Sequence, residues 1–339
     1  MKNRNENSNK IDFVILWVDD QDEEWLQKKK KWQKEYQIID DQEERYRSWD
    51  NLHYLFRSID KYAPWVNHIY LVTDNQTPDW LKTENNNVSI IDHTEIMEEN
   101  QLPSFSASAI ELNIYKIPGL SENFVYFNDD IFILDHVSPE DFFINGMPRE
   151  LAALNIIIPS KKNPMRQVMF NNMSLINDSF DKNKMLKEKP FNWLNYKNGP
   201  GLLRTLLLLP WSDFSNFKQT HLTASHNKST YEEVWAKYGD ELNESSMYKF
   251  RNPKNYNQWL IKDWQLASNN FVPQKLGFGK VFQLSTNNSV NKCAEHINKS
   301  KTKIICVNDT ELLEDFNYAK NKINSELDNK LPTKSKYEL

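Results

Sequence analysis

Glycine is scarce. The chain has seven in 339 residues, and none are spaced as a GxGxxG turn or a P-loop. Phosphate binding by a glycine-rich loop is therefore excluded. Cysteine is scarcer still, with only Cys293 and Cys306. That rules out a disulfide framework and suits a reducing compartment. The first ten residues, MKNRNENSNK, lack the apolar run of a secretory leader. No stretch approaches the roughly 20 apolar residues of a membrane helix. Together these absences point to the cytoplasm. A basic surplus is missing too: the net charge is −5, so nucleic acid is not an expected partner. What remains is 39% hydrophobic and 13% aromatic residues, enough for a sizeable core.

The longest apolar segment is LLRTLLLLPW (202–211). It is short, carries Arg204 and ends at a proline. It reads as a core or interface helix, with peripheral contact at a membrane surface as the other reading.

Along the chain, strand-like runs alternate with helical periodicity. IDFVILWV (11–18), HIYLVTD (68–74), VSIIDH (88–93) and FVYFNDDIFIL (124–134) read as buried strands. Helices are expected at about 23–37, 51–63 and 106–117, the second on the spacing of Leu52, Leu55, Phe56, Ile59 and Tyr62. This order predicts an α/β fold with a mainly parallel sheet. From 160 onward the pattern turns helical and Trp-rich, a helical elaboration in the C-terminal half. KIICVNDT (303–310) reads as one late strand, with a helix after it. The expected organisation is one domain over 11–326: an α/β core (11–160), a helix-rich part (160–300) and a returning strand and helix (303–326). Residues 1–10 read as disordered and 327–339 as a flexible tail.

In such sheets ligands sit beyond the carboxyl ends of the strands. WVDDQD, LVTDNQ, IIDH and FNDD all fall at those ends. The doublet Asp129-Asp130 suits a hard cation, Mg²⁺ or Mn²⁺, which takes carboxylate and phosphate oxygens. It could equally cap the next turn. Arg45, Arg47 and Arg57 could meet phosphate or pair along a helix. His221 and His226 precede a helix, where a histidine can act as general base or be merely structural.

Taken together, these stretches resemble the Stealth family of sugar-phosphate transferases. The resemblance rests on IDFVILWVDDQDEEW, RYRSWDNLHYLFRSIDKYAPWV, LPSFSASAIE, GLSENFVYFNDDIFI, HLTASHNKSTYEEVW with KFRNP, and CVNDT. It implies a Rossmann-like catalytic domain that moves a sugar-1-phosphate from a nucleotide sugar, usually a UDP-hexosamine, to an acceptor glycan hydroxyl. The product is a phosphodiester in capsular or cell-surface polysaccharide, and UMP leaves. The acceptor is expected to be lipid-linked, with work at the inner face of the plasma membrane.

Residue by residue, the resemblance assigns Asp129 and Asp130 to the metal, with Asn128 in support. His221, Asp130 and Arg251 become the catalytic candidates, and His226 falls on a variable position. Asp22, Arg45, Arg57, Glu111, Lys228 and Asp309 become candidates for substrate or nucleotide contact. The chain departs from the family pattern at Ser48, where Asp is frequent, and at Asp19-Asp20, where Asn-Gly is frequent. Two other readings stay open: a metal-dependent glycosyltransferase releasing UDP, and a sugar-binding module without catalysis.

Overall fold

A computed structural model describes residues 10–37, 46–84, 87–160, 163–299 and 302–339. The expectations for the first nine residues and for Arg45 lie outside the described residues.

Five strands make the main sheet: β1 (Ile11–Leu16), β2 (Ile69–Thr73), β3 (Val88–Asp92), β4 (Asn123–Asn128) and β8 (Ala224–Asn227). Their spatial order is β3-β2-β1-β4-β8. The first four run parallel and β8 closes the edge antiparallel to β4. The order reverses between β1 and β4, which opens a crevice beyond their carboxyl ends.

Period-two alternation covers both faces. Phe13, Ile15, Ile69, Leu71, Val125 and Phe127 face one core; Val14, Leu16, Val72, Phe124 and Tyr126 face the other. Three helices pack on the first face: α2 (Leu52–Tyr62), α10 (Asn287–Lys299) and α11 (Phe316–Lys330). Helix α1 (Glu23–Glu35) follows β1, and α3 (Ala107–Glu111) is much shorter than its periodicity predicts. The second face is covered by the elaboration: α4 (Met165–Ser179), α5 (Lys182–Glu188), α6 (Pro190–Trp193), α7 (Pro200–Leu208), α8 (Lys228–Met247) and α9 (Trp259–Ala267).

FVYFNDDIFIL is not one strand. β4 ends at Asn128, and β5 (Ile131–Ile133) belongs to a second sheet, β10-β11-β5, with β10 (Gly279–Leu284) and β11 (Ile304–Asp309). The acidic doublet is the crossing between sheets. A small third sheet joins β6 (Phe143–Ile144), β7 (Met147–Glu150) and β9 (Val272–Pro273).

The tail corrects a second expectation. Residues 331–339 are packed, not loose: Leu331 and Tyr337 are buried and Tyr337 stacks edge-on against Phe56. The carboxylate of Glu338 takes two nitrogens of Arg57, at 2.9 Å each.

Candidate active site

The site grows from the carboxyl end of β4. Tyr126 and Asn128 are two apart on one strand face, so their side chains project together. The Tyr126 hydroxyl lies 2.5 Å from Asn128 Oδ1 and 3.0 Å from Glu111 Oε1. It has one proton for two oxygens. Donating to Asn128 leaves the Glu111 contact to a proton on Glu111. That fits the carboxyl, which burial pushes up to about 7. Glu111 Oε2 also accepts the Gln258 amide at 3.3 Å.

Asn128 Nδ2 stands 3.2 Å from His221 Nε2. That same ring nitrogen is 3.3 Å from Asp130 Oδ2. A neutral ring protonated at Nδ1 accepts from Asn128; a protonated ring donates to Asp130. Burial works against the charged ring, but the charge and hydrogen bond of Asp130, with Glu111, outweigh it and hold His221 above its usual value. Asp130 is held low in turn: His221 and the Cys306 thiol, at 3.1 Å, outweigh burial. Its neighbour Asp129 moves up to about 7, through desolvation and then the charge of Asp130. Its side chain still meets solvent, which screens part of that effect.

Glu111, Tyr126, Asn128, His221 and Asp130 thus form one hydrogen-bonded line from the buried core to the crevice. The positive charge of Arg251 is felt at both Glu111 and His221, which places it at this end of the sheet. Asp309, at the end of β11, is brought close by the Val307 amide, which bonds the Asp130 carbonyl at 2.8 Å. Asp309 Oδ2 receives Arg47 from Nε at 3.0 Å and Nη2 at 2.6 Å, and Trp49 at 3.3 Å. Asp22 lies beyond β1. There it caps α1 through the amides of Glu24 and Trp25, at 2.9 and 3.2 Å, and accepts from Gln76 at 3.1 Å.

Two expected contacts do not reach this place. The guanidinium of Arg57 is taken by Glu338, Asp328 and the Leu331 carbonyl. It is a clamp for the tail, not a phosphate ligand. Lys228 follows β8, and its amide bonds Glu122 at the start of β4. Because β8 is antiparallel, Lys228 sits opposite Glu122 at the far end of β4, six residues and about 20 Å from Asn128 at 3.3 Å per residue. His226 is structural: buried beside Phe124, it meets Gln258 at 3.0 Å, and burial pushes its ring down to about 3.

The residues present fit a cation. Asp12, a buried acid inside β1, has both oxygens satisfied, by Asn67 at 2.6 Å and the Ser121 amide at 2.7 Å. By contrast, Asp130 Oδ1 and Asp309 Oδ1 are buried without a hydrogen-bond partner among the described residues. Uncompensated acceptors of this kind are expensive unless a cation or an ordered water completes them. Asp130, His221 and Cys306 also converge, with ligand atoms within 4.8 Å. Burial and Asp130 hold the Cys306 thiol well above its ordinary range, so it stays protonated and a poor ligand. Hard oxygen donors therefore dominate, as Mg²⁺ or Mn²⁺ prefers.

The two departures from the family pattern touch each other. Asp20 Oδ1 accepts the Ser48 amide at 3.0 Å. The carboxylate that the pattern carries at 48 stands here across the same contact, at 20.

Sequence reasoning missed Tyr126 and Cys306 as parts of this place; Arg47, read there as a phosphate or helix-pairing residue, meets Asp309 instead. Tyr126 was detectable by period two from Asn128. The place of Cys306 was visible only once β11 lay beside β5.

Two family models match the chain: Stealth protein conserved region 1 over residues 9–37 and conserved region 2 over residues 45–150. A capsular polysaccharide phosphotransferase, WcwK of Streptococcus pneumoniae, is 40% identical over 98% of this chain and 99% of its own. An exopolysaccharide phosphotransferase, cps2G of Lactiplantibacillus plantarum, is 42% identical over 97% and 96%. The receptor polysaccharide phosphotransferase WefC of Streptococcus gordonii is 37% identical over 97% and 99%. A solved galactosyltransferase, LgtC, aligns over 95% of this chain and 96% of its own at 9% identity, with a TM-score of 0.42, too slight a likeness to argue from. With whole-length relatives at this identity and both conserved regions in place, the chain belongs to the Stealth family of polysaccharide phosphotransferases, and phosphotransfer in polysaccharide synthesis is its activity.

Proposed function

We propose that the chain transfers a hexosamine- or hexose-1-phosphate from a nucleotide sugar, a UDP-hexosamine in the first instance, to a glycan hydroxyl. The acceptor oxygen attacks the phosphorus that carries the sugar. The bond from that phosphorus to the bridging oxygen breaks, and UMP leaves. The hydroxyl proton passes to His221 Nε2. The observation that carries this reading is the line from Glu111 to Asp130, which presents one ring nitrogen beside an acidic doublet.

Each residue then has a task. Asn128, fixed by Tyr126, aims the His221 ring. Asp130 stabilises the ring once it is protonated, as a carboxylate partner does for a general base. Arg251 supplies fixed positive charge toward the donor phosphates. Asp129 and Asp130 would hold Mg²⁺ or Mn²⁺, with Asp309 beside them. Bound there, the ion neutralises the diphosphate. Asp22 shapes the nucleotide side of the crevice. The acceptor is taken to be lipid-linked, on the cytoplasmic face of the membrane.

The test is the nucleotide released from a panel of UDP- and GDP-sugars, with and without Mg²⁺. Nucleoside monophosphate is expected, and His221→Ala should lower kcat by about 10²–10⁴-fold with little change in donor KM. Release of UDP would sink the proposal in favour of glycosyl transfer. Full turnover by both His221→Ala and Asp130→Asn would sink the site.

A further inference from the structure

Helix α7 is built to present an apolar outer face. Its inner side is fitted closely. Gly201 lies against Ala153, where a Cβ would come within 2.8 Å, and Thr205 Oγ1 accepts the Leu154 amide at 3.0 Å. The buried ammonium of Lys182 closes its end, bonding the carbonyls of Leu208 at 2.7 Å, Leu209 at 3.3 Å, and Trp211. A cation at a helix C-terminus satisfies its orphan carbonyls. The outer side is left bare. Leu203, Leu206, Leu207 and Trp211 recur at i, i+3, i+4 and i+8 and are 45–65% exposed. Just upstream, Phe191 and Tyr196 are 81% and 83% exposed. Ten of the sixteen exposed large hydrophobic residues among those described fall between 156 and 211. This concentration is not the scatter of an ordinary surface.

Charge says what covers it. Among the described residues of 156–218 that reach solvent, seven Lys and Arg stand against four Asp and Glu, a net of +3 in a chain of net −5. A second copy would set +3 against +3, an unfavourable match. A bilayer surface with anionic headgroups matches both the charge and the apolar stripe. The rings of Tyr196 and Trp211 suit the headgroup boundary. Nine helical residues span about 13 Å, far short of a crossing. No helix of the described residues is long and apolar enough to cross a membrane.

We infer that α7 and the segment before it form a docking face for an anionic membrane surface, lying on it without crossing it. The face continues toward the site. Leu276 packs on Gly199, and its amide bonds the Lys197 carbonyl at 2.9 Å. Leu276 also lines a depression with Thr220 and Leu222, the two neighbours of His221. Docking therefore sets the His221 loop next to the membrane surface, where a lipid-borne acceptor would arrive. Only that purpose rests on the proposed reaction; the docking does not.

The experiment is co-sedimentation of the full chain with vesicles of phosphatidylcholine alone or containing phosphatidylglycerol, at low and high salt. Binding is expected to the anionic vesicles and to weaken with salt. Leu203→Glu with Leu207→Glu should cut partitioning at least about tenfold. Leu312→Glu, at a 70% exposed position outside this segment, should leave it unchanged. Nucleotide release with a soluble acceptor should be the same in all three proteins, which separates docking from chemistry. The inference is overturned by no binding of the wild type to anionic vesicles, or by equal binding of the double variant. It is also overturned if the double variant converts a dimer to a monomer in sedimentation velocity, which would make the face an interface between copies.

Discussion

Tyr126→Phe isolates the positioning of His221. The change deletes one oxygen and leaves the ring buried in the core that it shares with Phe124 and Tyr231. Asn128 Oδ1 then loses its 2.5 Å donor, and Glu111 loses its 3.0 Å partner. Leaving buried polar groups unmatched costs about 1–3 kcal/mol each, so the melting temperature should fall while folding persists. The catalytic effect follows a different route. With Asn128 free to swing, the His221 ring loses its fixed aim. A displacement on the order of 1 Å costs about 10²-fold in rate. We expect kcat to drop between about 10- and 100-fold, less than in His221→Ala, with donor KM unchanged. Glu111→Gln gives a sharper control. The folded carboxyl is pushed up to about 7, so below that pH it already donates to Tyr126. Glutamine donates at every pH. The variant should keep most of its activity and lose any decline the wild type shows as Glu111 ionises above about pH 7. The assay is continuous nucleotide release across pH, beside a thermal melt. Unchanged kcat in Tyr126→Phe, with only the melt shifted, would refute the relay as a positioning device.

Arg57→Ala should strip Glu338, 4% exposed at its side chain, of its partner. Orphaning a buried charge costs about 3–5 kcal/mol, a loss limited here because the tail can undock; faster proteolysis near 331–339 checks it. His226 is neutral in the folded chain, with its ring down at about 3, whereas the unfolded ring binds a proton below about pH 6.5. Its contribution is complete above that pH and is lost as pH falls toward 3, at up to about 1.4 kcal/mol per pH unit. Denaturation of His226→Gln at several pH values should show a shallower acid loss by that slope. Ser48→Asp alone sets a carboxylate beside Asp20, Asp19 and Asp50 and should destabilise. Adding Asp20→Gly should restore stability, with a coupling of about 0.5–3 kcal/mol in a double-mutant cycle.

The parallel core was legible because β1 and β2 are buried on both faces and read as mostly apolar runs. The edge strand β8, ASHN, was not. Four small or polar residues carry no hydrophobic signature, and only pairing with β4 makes them a strand. The same strand explains the error at Lys228: spacing sets the distance from His221 along the chain but not its direction across the sheet. Arg57 failed differently. Helical periodicity shows that it lies off the apolar stripe, yet its partners stand more than 270 residues away. The doublet was placed correctly at a strand end, but its crossing between two sheets depends on β11, whose pairing no local pattern reveals. LLRTLLLLPW is core on one side only; its leucines outnumber the inward positions of a nine-residue helix.

That crossing has a consequence for half-made chains. Both matched conserved regions end by residue 150, and the acidic doublet is already translated there. The groups that complete it arrive later: His221 in the loop before β8, Arg251 after α8, Cys306 and Asp309 on β11. A gene interrupted soon after residue 150 would still encode both matched regions, and its product would lack His221, Arg251 and the second sheet. The two matched regions and the residues that complete the site thus lie in different stretches of the chain. A fragment carrying both regions should be scored by whether it reaches 309, not by how well it matches before 150.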